Sequence, residues 1–236
     1  MKIVFLNVWE GKLQSAIAKF IKEQSVDTDI FCFQEFTHGM DGIAKDVLSG
    51  YEKVSAYKSI GEEDYFPQAI FVRKNLRVLS FGVLLEKQME CGLAIYVQVP
   101  FGKSGLYVCN LHGTSEPGEK LDTPGRLRQS QTLIDYFKEK EVPIIIGGDF
   151  NLLPQTKSIR IFEENGYKDL IKDFGIKTTR NHYAWDKYPN SPHYYSDYVF
   201  VSPATLTVKE FSVPNNEVSD HLPLILDIES IHPNVL

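Results

Sequence analysis

The sequence predicts an α/β fold in which β-sheets pack face to face and helices lie outside them. Three observations support this prediction. Eight apolar runs have the composition of strands, three stretches have helical periodicity, and the segment from Gln68 to His112 contains several strands separated only by turns. A purely parallel, doubly wound sheet needs a helix between successive strands, so the third observation argues against that architecture.

The predicted strands are short runs rich in β-branched and aromatic residues. They cover Lys2 to Val8, Asp29 to Glu35, Gln68 to Arg73, Leu93 to Pro100, Gly105 to His112, Pro143 to Asp149, Tyr195 to Ser202 and Leu222 to Ile228.

Three helices are predicted between these strands. The second begins after Thr123, which has the character of an N-cap, with Pro124 at the first helical position. The third covers Ser158 to Asn165 and ends at Gly166. The first is predicted from apolar residues at the spacing i, i+3, i+4, i+7 and i+8, which are Leu13, Ala16, Ile17, Phe20 and Ile21.

A long loop rich in proline and aromatic residues is predicted from Thr178 to Tyr195. Loops of this length without secondary structure are usually functional or disordered. Its aromatic side chains either stack on a flat group of a substrate or hold the loop against the sheet. They are Tyr183, Trp185, Tyr188, Tyr194 and Tyr195.

Composition limits the class of protein. The 236 residues and 43% hydrophobic content suit one domain over residues 1–236, with no repeat or linker to divide it. No apolar run approaches the roughly 20 residues that cross a bilayer, and no signal peptide is evident, so we expect a cytoplasmic protein without stable membrane insertion. The three cysteines are expected to be buried free thiols. A formal net charge of −6 argues against a protein that grips long duplex DNA.

Polar residues at the ends of the apolar strands carry the functional signal. Carboxylates in such places cannot all lie in a dry core, because an unpaired buried charge costs several kcal/mol. If they converge, a cation holds them together. Carboxylates, amides and imidazoles without a thiol suit magnesium or manganese, and zinc is the alternative because of the histidines. Asn110 and Asp169 are expected to be ordinary turn residues or helix caps.

The motifs at these strand ends resemble those of the endonuclease/exonuclease/phosphatase superfamily, which is deoxyribonuclease-I-like. The resemblance implies a four-layer α/β sandwich, with two mixed sheets face to face and helices outside. It also implies a metal-dependent phosphoester hydrolase that uses Mg²⁺ or Mn²⁺. The motifs are "LNVW" with Asn7, "FQE" with Glu35, "NLHG" with His112, "GGDFN" with Asp149 and Asn151, "SDYVFVS" with Asp197, and "SDHLP" with Asp220 and His221.

Within the "GGDFN" motif, the resemblance assigns Asp149 to positioning and activating water. Side chains two apart on an extended strand share a face, so Asn151 is expected to reach the same phosphate as a neutral donor. Gly147 and Gly148 have no side chain, so they allow backbone or a ligand to approach closely.

The resemblance also implies the metal ligands. Glu35 is the main ligand, Asn7 supports it, and Asp220 contributes from the last motif. Some members of the superfamily carry an acid at the position of Trp9, so this chain departs from them, and one metal and two metals both remain alternatives.

The histidines are expected to contact the phosphate. His221 donates to a phosphoryl oxygen and Asp197 holds its ring, since a carboxylate partner fixes the tautomer of an imidazole. His112 is a second donor to the phosphate, and the alternative is a core histidine that bonds to the backbone.

Three arginines near these motifs have different expected roles. Arg180, beside the aromatic loop, is a candidate phosphate contact. Arg126 and Arg128, on the second helix, are expected to be one packing residue and one solvated residue.

Other classes of protein fit less well. No G-x-S-x-G motif of a serine hydrolase is present, and "FGKSG" lacks the leading glycine of a P-loop because Val97 stands there. A non-catalytic binding module on the same fold would be expected to have lost the acids. The predicted partner is a small or terminal phosphoester, and the alternative is endonuclease or exonuclease activity on DNA or RNA.

Overall fold

The protein folds as a four-layer α/β sandwich with two mixed sheets of six strands each. The computed structural model describes residues 1–60, 63–187, 189, 193–202 and 206–231. The strands are β1 Lys2–Asn7, β2 Ile30–Gln34, β3 Tyr51–Ile60, β4 Glu63–Arg73, β5 Ser80–Leu84, β6 Leu93–Val99, β7 Leu106–His112, β8 Ile144–Asp149, β9 Lys168–Asp169, β10 Asp197–Val201, β11 Leu206–Ser212 and β12 Leu224–Ser230.

One sheet has the order β11-β12-β1-β2-β4-β3, and the other has the order β5-β6-β7-β8-β10-β9. Strand β1 is parallel to β2, and β7 is parallel to β8, at the centre of the respective sheets. The helices are α1 Gln14–Gln24, α2 Asp41–Val47, α3 Pro124–Phe137, α4 Lys157–Glu164, α5 Leu170–Asp173 and α6 His182–Lys187, with 3-10 turns at Trp9–Gly11 and His38–Met40.

Both faces of β1 are covered, which explains its continuous apolar sequence. Ile3 and Phe5 belong to the core between the sheets, whereas Val4 and Leu6 pack with the apolar face of α1. The face of α1 predicted from the helical spacing is the one that packs, with Ile17 among its fully buried residues. Alternating side chains of one strand therefore join the middle layer to an outer layer.

All eight predicted strands and all three predicted helices are present. The Thr123 side chain accepts a hydrogen bond from the Arg126 amide at 3.1 Å, as its predicted role as N-cap of α3 requires. The strands that the sequence analysis missed are β3, β5, β9 and β11, and each lies at an edge of its sheet. Edge strands are less covered than central ones, so their apolar signal is weaker.

The expected loop from Thr178 to Tyr195 is wrong over the six residues of α6. Asn181 begins this helix, because its side-chain oxygen accepts a hydrogen bond from the Tyr183 amide at 3.1 Å. An asparagine before a short helical stretch was therefore the signal that could have revealed α6.

Asn110 was wrongly expected to be a turn residue or a cap. It lies fully buried in β7, where its Nδ2 donates to the Phe33 carbonyl at 3.0 Å and its Oδ1 accepts from Gln34 of the facing sheet. Asp169, by contrast, is confirmed as a cap: its carboxylate accepts from the Ile171 amide at 2.9 Å at the start of α5.

Two expectations from composition concern the cysteines and the membrane. All three cysteines are free and buried, as predicted. Among the helices described in the structure, none has the length and apolar content needed to cross a bilayer.

The glycines before Asp149 are required by close packing inside the protein. A Cβ on Gly147 would lie 2.8 Å from the Phe5 ring of the facing sheet. Gly148 has a φ of +125°, and a Cβ there would lie 2.3 Å from the Leu111 carbonyl oxygen. The sequence left open whether backbone or a ligand approaches these two glycines. In the structure, the atoms closest to both positions are protein atoms.

Replacing Gly147 with alanine should destabilise the fold. The added methyl group must displace the Phe5 ring, and overpacking of this kind costs about 1–3 kcal/mol. Gly50→Ala is the matched control, because a Cβ at Gly50 would have no neighbour within 4 Å among the described residues. Urea unfolding of both variants measures the difference, and equal stabilities would show that the two sheets tolerate a wider spacing at Phe5.

Candidate active site

The predicted site residues meet where the ends of central strands from both sheets come together. In one sheet, Asn7 of β1 pairs in register with Gln34 of β2, directly before Glu35. In the other, Asp149 of β8 stands between His112 of β7 and Asp197 of β10. Register therefore brings residues that are distant in sequence to the same edge of the sandwich.

Asn7 joins the acids of the two sheets. Its Nδ2 donates to Glu35 Oε1 at 3.0 Å and to Asp149 Oδ2 at 3.1 Å. Its Oδ1 accepts from the Trp9 amide at 2.9 Å, which fixes the orientation of the side-chain amide. In this arrangement Asn7 presents its nitrogen to the acids, so its expected role as a metal ligand would require the amide to turn.

Asp149 is buried and accepts hydrogen bonds at both oxygens. Oδ1 accepts from the Ser196 hydroxyl at 2.6 Å and from the Asn151 backbone N–H at 2.9 Å. Oδ2 accepts from the Asn7 side chain and lies 3.6 Å from His221 Nε2. The three hydrogen bonds, from Ser196, the Asn151 backbone and Asn7, favour the ionised form of the carboxyl group.

Cations outweigh the cost of burying Asp149. Burial alone raises the pKa of this carboxyl group, but His221, Lys120, His112 and Arg180 together lower it well below its ordinary value. The carboxylate is therefore ionised throughout the neutral range, as an acceptor for a water molecule or another donor.

His221 links two carboxylates and an arginine. Its Nδ1 lies 2.8 Å from Asp197 Oδ1, and its Nε2 lies 2.8 Å from Arg180 Nη1. Arg180 also donates to Asp220 Oδ2 at 2.6 Å. A guanidinium group can only donate, so Nε2 is the acceptor in this arrangement and the ring proton is on Nδ1, facing Asp197.

Arg180 lies inside the site and not only beside it. An isolated antiparallel bridge pairs Arg180 with His221, which places the two side chains together. Its Nε is buried and has no hydrogen-bond partner among the described residues. A ligand that accepts from Arg180 would satisfy this nitrogen.

His112 does not match the alternative of a core histidine bonded to the backbone. Its Nδ1 is buried without a hydrogen-bond partner in the described part of the chain. Its Nε2 lies 3.9 Å from Glu35 Oε1, and its ring meets Phe66 edge to face at a centroid distance of 5.2 Å. One of its nitrogens thus remains to be satisfied by a ligand.

Asn151 reaches Asp149 by a turn and not along a strand. β8 ends at Asp149, and Asn151 has a left-handed φ of +54°. The argument from alternation along an extended strand was therefore wrong, although the two side chains are neighbours. Asn151 Nδ2 donates to the Gly113 carbonyl at 3.0 Å and approaches Asp149 Oδ2 at 3.3 Å.

Several non-glycine residues around the site have left-handed backbones. Glu35, Phe66 and Trp9 share this conformation with Asn151, with φ values of 54°, 55° and 48° for the first three. Such a conformation costs of order 1–3 kcal/mol where the surrounding structure must impose it. In Glu35 and Asn151 it turns the chain sharply just after β2 and β8, whereas Phe66 lies inside β4.

Sequence reasoning missed two residues of the site, Lys120 and Ser196. Lys120 Nζ donates to Asn151 Oδ1 at 2.7 Å and to Ser196 Oγ at 2.6 Å. Burial lowers the pKa of Lys120 to about 8, although Asp149 and other acids raise it. Ser196 stands directly before Asp197 in the motif and could have been noticed, whereas Lys120 comes from a loop without any strand-end signal.

The donors in the site fit a hard divalent cation. Glu35 offers a carboxylate whose side chain is 25% exposed, the most accessible of the acids in the network. Asp149, Asp197 and His221 have ligand atoms within 4.8 Å of one another, but both nitrogens of His221 already have partners. Asp220 instead pairs with Arg180, whose Nη2 lies 2.6 Å from Asp220 Oδ2.

The aromatic side chains of the segment from Thr178 to Tyr195 differ in what they contact. Tyr183 packs against Trp9 at a centroid distance of 5.9 Å, beside Asn7. Tyr195 instead holds its segment in place, because its hydroxyl donates to the Ile176 carbonyl at 3.1 Å. Trp185 and Tyr194 contact each other at 5.4 Å, and Tyr188 lies outside the described residues.

Solved structures of similar fold have different ligands and activities. The catalytic domain of human Nocturnin with a bound sulfate anion has a TM-score of 0.75 and 18% identity, over 98% of this chain and 94% of that chain. A mannosyl-6-phosphatase from Bacteroides thetaiotaomicron has a TM-score of 0.72 and 20% identity, over 97% and 99%. D. rerio TDP2 complexed with a single-strand DNA product has a TM-score of 0.73 and 17% identity, over 98% and 99%.

No curated protein sequence matches this chain significantly. The model of the Endonuclease/Exonuclease/phosphatase family matches residues 4–221, which include every residue of the network around Asp149. The chain therefore belongs to the Endonuclease/Exonuclease/phosphatase family.

Proposed function

We propose that the protein is a magnesium-dependent hydrolase of phosphoesters, acting on a small or terminal phosphoester. The observation that carries this proposal is the buried, ionised Asp149, which accepts a hydrogen bond from Asn7 of the facing sheet and lies 3.6 Å from His221 of the segment before β12. Acids beside an arginine and two histidines suit a reaction in which water attacks a phosphorus atom.

Asp149 is the acceptor that orients the attacking water. As the water oxygen bonds to phosphorus and the ester oxygen leaves, Asp149 accepts the proton that the water loses. Its low pKa makes it a weak base, so its contribution comes mainly from holding the water in line. Magnesium, held by Glu35 with Asn7 and Asp220, would supply charge neutralisation at the phosphate and acidify bound water.

Arg180, His221 and His112 are the donors for phosphoryl oxygens. Burial and Arg180 lower the pKa of His221, but the carboxylates of Asp197, Asp220 and Asp149 outweigh them and hold it above its ordinary value. Protonation would place a second donor at Nε2 facing Arg180, so it requires the guanidinium to move away. A phosphoryl oxygen between the two groups would accept from both and remove this conflict.

The size of the substrate is proposed from charge and from the fold relatives. A net charge of −6 disfavours binding that depends on many phosphate contacts along a duplex backbone. The proteins of similar fold include both a sugar phosphatase and a protein bound to a single-strand DNA product, so the fold accommodates small and nucleic-acid ligands. The second candidate is nuclease activity on a strand end, which the half-buried Trp9 and Tyr183 pair favours as a stacking surface.

Asp197→Asn should lower the pKa of His221. The carboxylate at 2.8 Å favours the imidazolium, and asparagine removes that charge while keeping the shape. Arg180→Met should raise the same pKa, because the guanidinium disfavours a second cation. NMR titration of the ring nitrogens in EDTA-treated protein measures both.

Asp227→Asn serves as the control for that titration, because Asp227 pairs with the N-terminus at the opposite end of β1. It should leave His221 unchanged. A His221 pKa that is the same in Asp197→Asn as in the wild type would contradict the pairing.

A panel of phosphoesters with and without magnesium tests the proposed function. The protein should hydrolyse sugar phosphates, nucleotides or short oligonucleotide ends in magnesium or manganese, and EDTA should abolish turnover until the metal is restored. Glu35→Gln should raise the magnesium concentration needed for half-maximal rate at least about tenfold, since one charged ligand is lost. Glu229→Gln, an exposed acid on β12, should not.

Three results of that panel would contradict the proposal. Full activity after EDTA treatment would show that hydrolysis does not require a metal. Efficient nicking of supercoiled plasmid at near-physiological salt would make the protein an endonuclease. No hydrolysis of any phosphoester in either metal would indicate a binding module on a catalytic fold.

A further inference from the structure

A loop that approaches the site is held rigidly by one buried arginine. Arg126, at the start of α3, is fully buried. Its guanidinium group donates to carbonyl oxygens of the loop before it, with distances from 2.7 to 3.4 Å. These carbonyls belong to Thr114, Ser115, Pro117 and Leu121. Arg126 is thus the packing residue that the sequence predicted, and Arg128 is the solvated one, 54% exposed at its side chain.

Two further contacts attach the same loop to the neighbouring layer. Asp122 accepts from the Lys157 amide at 2.7 Å and from the Ser158 amide at 2.9 Å, at the start of α4. The Leu153 amide donates to the Lys120 carbonyl at 2.9 Å. Lys120 itself has a left-handed φ of +56°. The loop backbone is therefore held in place on both sides of Lys120. This fixes the backbone position from which the Lys120 side chain extends.

The Lys120 side chain contacts two side chains that in turn contact Asp149. Its ammonium group donates to Asn151 Oδ1 at 2.7 Å and to Ser196 Oγ at 2.6 Å. Because an ammonium group only donates, the Ser196 hydroxyl must accept from it, and its own proton points to Asp149 Oδ1 at 2.6 Å. The same donor fixes the amide of Asn151 with Oδ1 toward Lys120 and Nδ2 toward Asp149.

We propose that Lys120 is a positioning residue for hydrolysis, because it sets the orientations of the Asn151 amide and the Ser196 hydroxyl and thereby holds Asp149. The proposal rests on the proposed function of the site. Without Lys120, the serine hydroxyl would be free to rotate away from Asp149. The Asn151 amide would then be held through Nδ2 alone, by the Gly113 carbonyl and Asp149, and its Oδ1 would have lost the Lys120 donor.

This role differs from that of a surface lysine that stabilises the fold. The contacts of Lys120 with side chains go to residues that touch Asp149, whereas the loop backbone is already held by Arg126 and by α4. Removing the ammonium group should therefore disturb the site more than the loop. Misplacement of a catalytic group by about 1 Å can cost roughly 10²-fold in rate.

Steady-state kinetics of Lys120→Met tests the proposal. Methionine keeps the length of the side chain without its donors, so kcat should fall about 10- to 100-fold while KM changes less than about threefold. Lys74→Met is the control, because Lys74 is exposed and donates only to the Ser49 carbonyl among the described residues. It should keep the wild-type kcat, and both variants should melt near the wild-type temperature.

A double-mutant comparison separates positioning from direct contact with the substrate. If Lys120 acts through Asn151, Lys120→Met should lower kcat much less in an Asn151→Ala background than in the wild type. An equal factor in the wild type, in Asn151→Ala and in Ser196→Ala would show that Lys120 acts independently of both residues, and would overturn the proposal.

A second measurement needs no substrate and so does not depend on the proposed function. The side-chain NH₂ resonances of Asn151, assigned by their loss in Asn151→Ala, should shift in Lys120→Met and stay unchanged in Lys74→Met. Unchanged resonances in a folded Lys120→Met protein would show that the lysine does not orient the amide. Shifted resonances without any phosphoester hydrolysis by the wild type would uphold the positioning and reject the proposed function.

Discussion

The burial of an ionised carboxylate is the constraint on which the site depends. Asp149 lies at the end of a central strand with 1% of its surface exposed, so its charge must be compensated by the protein. Four residues surround this charge. Asn7 donates to it from the facing sheet, and Ser196 and Asn151 donate to it from the neighbouring turns. His221 approaches it from the segment before β12. The network around Asp149 is therefore also a contact that ties the two sheets together.

The face-to-face packing of the sheets explains how residues so distant in sequence meet. Gly147 admits the Phe5 ring between the sheets, and the buried Asn110 bonds to the backbone carbonyl of Phe33. These contacts set the distance between β1 and β8, and so the reach of Asn7 to Asp149. The left-handed residues after the strands then redirect the chain within one position, which regular strand geometry cannot do.

The central strands and the strand-end acids could be predicted from the sequence. The edge strands, the turn at Asn151 and the contact of Lys120 could not, for physical reasons. Buried strands such as β8 are continuous apolar runs, whereas edge strands such as β3 and β11 carry charged residues on their open side and lose that signal. Asn151 was predicted near Asp149 from the wrong geometry, because a left-handed turn has no reliable sequence signature outside glycine. Lys120 reaches the site only through the loop that Arg126 holds, and no local pattern encodes such a contact.

The most direct test of the account is the turnover number of Asp149→Asn in saturating magnesium, measured with the best substrate of the panel. Asparagine keeps the volume and one acceptor oxygen but removes the charge that the surrounding cations compensate. The account predicts a folded protein whose kcat is lower by roughly 10²- to 10⁴-fold, the range usual for the loss of a positioned base. A folded variant that retains most of the wild-type kcat would contradict the central role of this carboxylate.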